Sequence, residues 1–180
     1  MNRVVVTGIG IVSSLGNNQQ EVKDSLYHTK SGISFDEDQK KMGFRSCVSG
    51  QIKIDLENSI ERKFLRFMGD GASYNYLSML EAIRDSNLSE DEISNNKTGL
   101  IMGSGGPSTK SLLRAFDITR EKGPKKIGPT SVPKVMCSTN SATLSTYFKI
   151  KGVNYSISSA CSTSAHCIGN AYELIQMGKQ

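Results

Sequence analysis

Cys161 is the residue whose type and surroundings best suit chemistry. The segment before it, residues 153–159, places Tyr155 and Ile157 among small residues, a pattern typical of a strand. After Cys161, apolar residues recur at steps of three and four, which predicts a helix. A cysteine at the first turn of a helix meets unpaired backbone N–H groups and the positive end of the helix dipole, which stabilise a thiolate. The position suits a nucleophile that accepts an acyl group, and a small, buried, inert cysteine is the alternative.

Strands and helices alternate along the chain before this segment. Continuous apolar runs at residues 3–8 and 97–102 predict two further strands, buried on both faces of a sheet. Apolar periodicity predicts helices over residues 18–27, 60–86, 110–120 and 132–149, and residues 30–58 are predicted to be irregular. Gly69 and Gly71 indicate a bend or a close backbone approach. The alternation predicts an α/β fold with a parallel sheet.

Composition and charge argue against several classes of protein. The 180 residues include 22 Lys and Arg against 17 Asp and Glu, a net charge of +5, and 7% are aromatic. Basic and aromatic residues are not interleaved, so we expect no nucleic-acid platform, while a mildly basic surface suits an acidic protein partner. No apolar run is long enough to span a membrane, and the N-terminal run is too short for a signal peptide. We therefore expect a cytoplasmic protein.

The cysteines and histidines offer a nucleophile without a convincing base. The four cysteines, Cys47, Cys137, Cys161 and Cys167, form no Cys-x-x-Cys pair and have no histidine at zinc spacing, which predicts free thiols and no metal site. His166 lies five residues after Cys161, about 140° around the predicted helix, so direct pairing is not expected. A structural role for His166 is favoured.

Two glycine-rich turns fall short of nucleotide-binding motifs. Gly8-Ile-Gly10 follows the first predicted strand, but Ser13 stands where a dinucleotide-binding turn has its third glycine. The segment 103–106, Gly-Ser-Gly-Gly, lacks the Lys-Ser/Thr of a phosphate-binding loop. A tight turn and a flexible loop beside a pocket are the better interpretations.

The segment NYSISSACSTSAHCIGNA, residues 154–171, resembles the active-site signature of the β-ketoacyl-acyl-carrier-protein synthases, and most closely that of the type I condensing enzymes of bacterial fatty-acid synthesis. Weaker likenesses lie at residues 3–14, 31–34, 61–68 and 103–106. The resemblance implies a thiolase-like fold, with a parallel-rich sheet and helices on both faces, built from two similar halves. Because family members are much longer, we expect residues 1–180 to be the N-terminal half, with the C-terminal half absent and a large apolar surface exposed.

The resemblance implies a decarboxylative Claisen condensation in fatty-acid elongation. Cys161 would accept an acyl chain from acyl carrier protein as a thioester. Malonyl-acyl carrier protein would then lose CO₂ and attack that thioester to give 3-oxoacyl-acyl carrier protein. The family uses no cofactor, and its two catalytic histidines and lysine are expected in the absent half, so His166 is not one of them. The backbone N–H of Cys161 is expected to donate to the thioester oxyanion.

The resemblance also implies roles for further residues. The acyl pocket is expected to be lined by Gly106, Pro107, Met136, Cys137 and Ala160. Two basic clusters, which a solvated surface would also explain, are expected to dock acidic acyl carrier protein: Arg62, Lys63, Arg66, Lys125 and Lys126. A homodimer is expected to form through the strand at 153–159. The alternatives are a non-catalytic half that binds carrier protein or a condensing partner, and a thiolase acting on coenzyme A esters.

Overall fold

The computed structural model of the protein describes residues 2–180, in which short strands alternate with helices. The strands are β1 (Ile33–Phe35), β2 (Val48–Gly50), β3 (Leu100–Ile101) and β4 (Asn154–Tyr155). The helices are α1 (Gln19–Tyr27), α2 (Glu37–Lys41), α3 (Leu56–Ser59), α4 (Arg62–Leu65), α5 (Asp70–Ser86), α6 (Glu90–Ile93), α7 (Thr109–Lys122), α8 (Ser131–Val135), α9 (Thr139–Tyr147) and α10 (Thr163–Gln176). Two 3-10 turns occupy Pro124–Lys126 and Ala160–Ser162.

The chain divides into two compact units. The larger unit comprises the residues before Thr7, Leu56–Tyr76 and Leu88–Gln180. The smaller unit comprises Thr7–Asp55 and Leu77–Asn87. All residues predicted to carry chemistry belong to the larger unit.

The larger unit is organised around the parallel pair β3 and β4. Leu100 lies opposite Asn154, and Ile101 lies opposite Tyr155. Helices α7, α8 and α9 come between the two strands in sequence, which is the crossover connection that parallel strands require. The pairing confirms the parallel arrangement predicted for these strands, although each strand has two residues rather than six or seven.

Helix α9 anchors the core of the larger unit. Leu144 on this helix is completely buried. The ring of Tyr147 packs edge-on against Phe64 at 4.2 Å and against Tyr76 at 4.6 Å between centroids. Edge-to-face aromatic pairs of this kind each add about 1 kcal/mol beyond the area that they bury. The core therefore fixes the helix that leads into the segment before Cys161.

In the smaller unit, two carboxylates on α5 hold the N-terminal segment. Glu81 accepts hydrogen bonds from the backbone N–H groups of Ile11 (2.9 Å) and Gln19 (2.8 Å). Asp85 accepts from the N–H of Ile9 (2.9 Å) and from the Gln19 side chain (3.1 Å). These hydrogen bonds lower the pKa of Asp85, and the one from the Ile9 N–H has the larger effect. Desolvation raises the pKa by a smaller amount. The carboxylates thus satisfy backbone groups that no strand partner satisfies.

The predicted strand at residues 3–8 is absent. The described backbone there pairs with no other strand, and the side chains of Val5 and Val6 are 59% and 81% exposed. An apolar run becomes a strand only where a neighbouring strand accepts its backbone hydrogen bonds.

Helix boundaries differ from the predictions in three places. The 60–86 helix is two helices, α4 and α5, separated at Gly69, where an added Cβ would lie 2.8 Å from Cβ of Ser108. The 132–149 helix is also two, α8 and α9, with Met136 extended between them. The region 30–58, predicted to be irregular, contains the antiparallel pair β1 and β2 and the short helices α2 and α3. Helices α1 and α7 match their predictions closely.

No helix within residues 2–180 combines the length and the hydropathy needed to cross a membrane.

Candidate active site

Cys161 occupies the middle of the 3-10 turn that joins the segment after β4 to α10. Its side chain is exposed and its thiol is free. Helix α10 is 14 residues long and begins two residues later. The predicted order of strand, sharp turn, cysteine and helix is therefore present, with Cys161 just before the first helical residue.

Ala160 gives the turn its sharpness. Its φ is +47°, a left-handed conformation that costs a residue with a Cβ roughly 1–2 kcal/mol. The hydroxyl of Thr163, which is 4% exposed, donates to the Ala160 carbonyl at 2.8 Å and accepts from the Ser159 N–H at 2.9 Å. Ser162 also donates to the Ser159 carbonyl at 2.8 Å. These hydrogen bonds hold the strained residue next to Cys161 in place.

A glycine-rich loop, residues 103–107, lies against this turn. A Cβ added to Gly103 would overlap the carbonyl oxygen of Ile157, and one added to Gly105 would come within 3.1 Å of the Ala160 carbonyl oxygen. The side-chain amide of Asn140 donates to the Gly103 carbonyl at 3.2 Å. Glycine is needed here because backbone approaches backbone, not because the loop is flexible.

Three of the five predicted acyl-pocket residues line two separate cavities, and the other two line neither. Gly106 and Pro107 line a cavity of about 240 Å³ together with Thr139 and Asn140. Met136 lines a separate apolar groove of about 510 Å³. Other residues of that groove include Phe64, Phe67, Met68, Pro133 and Tyr147. Cys137 and Ala160 are exposed and line neither of these cavities.

The remaining cysteine and histidine of α10 differ from Cys161. Cys167 is buried, and desolvation raises the pKa of its thiol, with a smaller opposing effect from the Ile157 backbone. A buried thiol with a raised pKa is a poor nucleophile at neutral pH. His166 is exposed, and its backbone carbonyl accepts from the Asn170 side chain at 2.9 Å. Within residues 2–180 no cluster of His, Cys, Asp and Glu could hold a metal ion.

The five predicted docking cations are all exposed. In the first cluster, the Lys63 ammonium lies 2.7 Å from the Glu61 carboxylate and 4.7 Å from the centre of the Phe64 ring. The Arg66 guanidinium lies 5.0 Å from the centre of the Phe67 ring. The second cluster, Lys125 and Lys126, belongs to the 3-10 turn after α7. Aromatic rings thus contact two of the cations, and one of these, Lys63, lines the 510 Å³ groove.

Comparison with known proteins identifies this arrangement. Residues 1–180 match the family described as "Beta-ketoacyl synthase, N-terminal domain". The chain belongs to the β-ketoacyl synthase family. The synthase domain is 55% identical over 181 residues to 3-oxoacyl-[acyl-carrier-protein] synthase 1 of Haemophilus influenzae, and 54% identical over 182 residues to that of Escherichia coli K12. Each match covers 100% of this chain and 45% of the relative, so the chain spans about half the length of these curated relatives.

The structure of a β-ketoacyl synthase from Burkholderia phymatum has the same fold as the synthase domain. The TM-score is 0.85 at 28% identity, and the match covers 100% of this chain and 45% of that one. The comparisons confirm the predicted family and the thiolase-like α/β fold.

Sequence reasoning missed the residues that support the turn and the cavity. Thr163 could have been identified from the sequence, because a threonine at the start of a helix readily forms hydrogen bonds to nearby backbone groups. Thr139 and Asn140 stood out only as part of a polar stretch inside a predicted helix. Their burial, at 5% and 2% exposure, depends on packing that periodicity does not reveal.

Proposed function

We propose that the protein to which this domain belongs catalyses the decarboxylative condensation of an acyl thioester with malonyl-acyl carrier protein. The supporting observation is the exposed Cys161 on a strained turn at the start of α10, within a domain of this family. The 3-oxoacyl-[acyl-carrier-protein] synthase 1 relatives are named for the product that this reaction would give.

In the proposed reaction, the Cys161 thiolate attacks the carbonyl carbon of acyl-acyl carrier protein. The carrier thiol leaves and an acyl-enzyme thioester forms. Malonyl-acyl carrier protein loses CO₂, and the electron pair of the broken C–C bond attacks the acyl-enzyme carbonyl. The Cys161 thiolate then leaves, and the product is 3-oxoacyl-acyl carrier protein. The Cys161 N–H would donate to the oxyanion in both addition steps, and one such donor contributes roughly 3–4 kcal/mol to transition-state stabilisation.

The thiol chemistry is tested by labelling. We expect iodoacetamide or cerulenin to label Cys161 faster than the other cysteines, as read by peptide mass spectrometry. Cys137 is the stringent comparison because it is also exposed, so accessibility alone would label both equally. Cys161→Ala should abolish condensation, and Cys47→Ala in the smaller unit should leave it unchanged. Undiminished condensation by Cys161→Ala would favour a non-catalytic carrier-binding role.

We propose acyl carrier protein as the partner and the cations of the two basic clusters as its docking surface. Acidic partners are steered by such clusters, and the effect weakens as salt screens it. Lys63→Glu and Lys126→Glu should raise KM for acyl-acyl carrier protein with little change in kcat. Lys151→Glu, an exposed lysine outside the clusters, is the matched control. Efficient use of acyl-coenzyme A with no effect of these substitutions would indicate a thiolase instead.

We also propose a homodimer that pairs residues 153–159 with the same segment of a second copy, and a cytoplasmic location. Only Asn154 and Tyr155 of this segment belong to β4, which leaves backbone beyond Tyr155 for such pairing. Sedimentation analysis should give twice the monomer mass at micromolar concentration. A monomer under those conditions would refute this arrangement.

A further inference from the structure

Two side-chain hydrogen bonds join helix α9 to the segment that leads from β4 to Cys161. The hydroxyls of Ser141 on α9 and Ser156, directly after β4, lie 2.6 Å apart. One turn further along the helix, the Ser145 hydroxyl accepts from the side-chain amide of Asn154 in β4 at 2.9 Å. The helix therefore holds this segment at two points.

The spacing of the two bonds matches the geometry of both elements. Ser141 and Ser145 are four residues apart, so they lie on one face of α9, about 6 Å apart along its axis. Asn154 and Ser156 are two residues apart, and in an extended chain such residues point to the same side, about 6.6 Å apart. A shift of one residue would turn the Ser156 hydroxyl away from the helix. Helix α9 therefore sets the register of the segment five residues before Cys161.

The two serine hydroxyls belong to a buried network in which every group has a partner. Ser141 is 4% exposed. Its hydroxyl donates to the Ser138 carbonyl at 3.2 Å, and it therefore accepts from the Ser156 hydroxyl. The Ser138 carbonyl also accepts from the Ala142 N–H at 3.0 Å. Removing one serine hydroxyl would leave the other unpaired, whereas removing both would leave no polar group of this network without a partner.

The segment held in this way also carries the backbone against which the glycine-rich loop packs. The carbonyl oxygen of Ile157 occupies the space where a Cβ of Gly103 would lie. Asn140, the neighbour of Ser141 on α9, donates to the Gly103 carbonyl at 3.2 Å. Adjacent residues of one helix thus hold the two backbones that pack together beside the strained turn.

We propose that Ser141 and Ser156 are positioning residues for the Cys161 thiol. The proposal rests on the proposed function, in which this thiol is the nucleophile. Four residues separate Ser156 from Cys161, and the Thr163 hydroxyl bonds to the backbone of the last two of them, so the segment is held at both ends. A reacting group must be held close to its productive geometry, and a misplacement of about 1 Å can cost about 100-fold in rate.

The test separates positioning from stability by removing one hydroxyl or both in the complete protein to which this domain belongs. Ser141→Ala leaves the Ser156 hydroxyl without its buried partner, so Tm should fall by several degrees. Alkylation of Cys161 by iodoacetamide, measured well below Tm, should slow about tenfold. The double variant Ser141→Ala/Ser156→Ala leaves no orphaned group, so most of the loss in Tm should be recovered. Cys161 should remain slow, because the link to α9 is still missing.

Ser73→Ala is the matched control. Ser73 is also buried, at 1% exposure, and its hydroxyl donates to the Gly69 carbonyl, four residues earlier, at 3.1 Å. This variant should leave the alkylation rate of Cys161 unchanged. Condensation assays should show a lower kcat for both Ser141 variants with little change in KM for acyl-acyl carrier protein, because the change concerns the nucleophile and not docking.

Alkylation that recovers together with Tm in the double variant would overturn the proposal, since a purely structural pair acts on Cys161 only through stability. If Cys161 of the unsubstituted protein reacts no faster than Cys137, the proposed function fails instead. Hydrogen exchange of the amides of residues 156–161 then decides the positioning by itself. Faster exchange in the double variant supports it, and unchanged exchange overturns it.

Discussion

Replacing Thr163 by valine tests whether its hydroxyl holds the turn at Cys161. The substitution keeps the side-chain shape and removes two hydrogen bonds, one from the Ser159 N–H and one to the Ala160 carbonyl. A buried hydrogen bond contributes about 1 kcal/mol, so the loss is about 2 kcal/mol. If Ala160 then leaves its left-handed conformation, about 1 kcal/mol of strain is recovered. The net cost therefore lies between about 1 and 2 kcal/mol.

For a chain of 180 residues, 1 kcal/mol lowers Tm by about 2–4 °C, so we expect Thr163→Val to lower Tm by about 2–8 °C in calorimetry. The rate of Cys161 alkylation, measured well below Tm, should also differ from that of the unsubstituted protein, because the turn that contains Cys161 is held less firmly. Thr119→Val is the matched control, and its hydroxyl duplicates a bond already made within α7, so its cost should stay below about 0.5 kcal/mol. Equal Tm for the two variants, with an unchanged Cys161 rate, would refute the argument.

Three further predictions concern stability. The folded state lowers the pKa of Asp85, so its carboxylate stabilises the fold above the ordinary pKa of an aspartate and loses this effect as pH falls. Asp85→Asn should remove this stabilisation. Tm of the variant should therefore lie below that of the unsubstituted protein at pH 7, and the two values should converge toward pH 3. Gly69→Ala should cost about 1–3 kcal/mol in urea unfolding, since its Cβ would meet Ser108 at 2.8 Å, whereas Gly71→Ala meets nothing within 4 Å and should be neutral or stabilising. Ala160→Gly should raise the unfolding free energy by up to about 1 kcal/mol through relief of its φ of +47°, and a decrease would contradict the strain.

The sequence was most informative where structure is decided locally. Helices α1 and α7 and the helix after Cys161 follow from apolar spacing, and Asn18 and Ser108 cap the first two of them by accepting from Glu21 and Ser111. The strand at 3–8 was wrong because a strand is defined by its partner, which the apolar run cannot specify. The pair β1 and β2 was missed because three-residue strands carry too little alternation to detect.

The periodicity of α10 predicted the helix but not its burial. Ile168 and Tyr172, two of the apolar residues whose spacing predicted this helix, are 71% and 46% exposed, while Cys167, next to Ile168, is buried. An apolar stripe predicts which face of a helix is suited to packing against other residues. Whether that face is buried depends on those other residues, which the stripe does not specify. The same reasoning explains why Met136 and Gly106, implied by resemblance to share one pocket, line different cavities within this chain.

The small residues around Cys161 have a packing cause that is separate from catalysis. Gly103 and Gly105 lack side chains because the backbone of Ile157 and Ala160 occupies that space. Ala160 in turn adopts a left-handed conformation that a larger or β-branched residue would resist. Close backbone contact is therefore enough to explain every small residue of this turn. The turn could have the same conformation with an unreactive residue at position 161. What distinguishes a nucleophile from a structural elbow is the reactivity of Cys161 relative to Cys137, which is also exposed. Labelling of that pair therefore carries more weight than the shape of the turn.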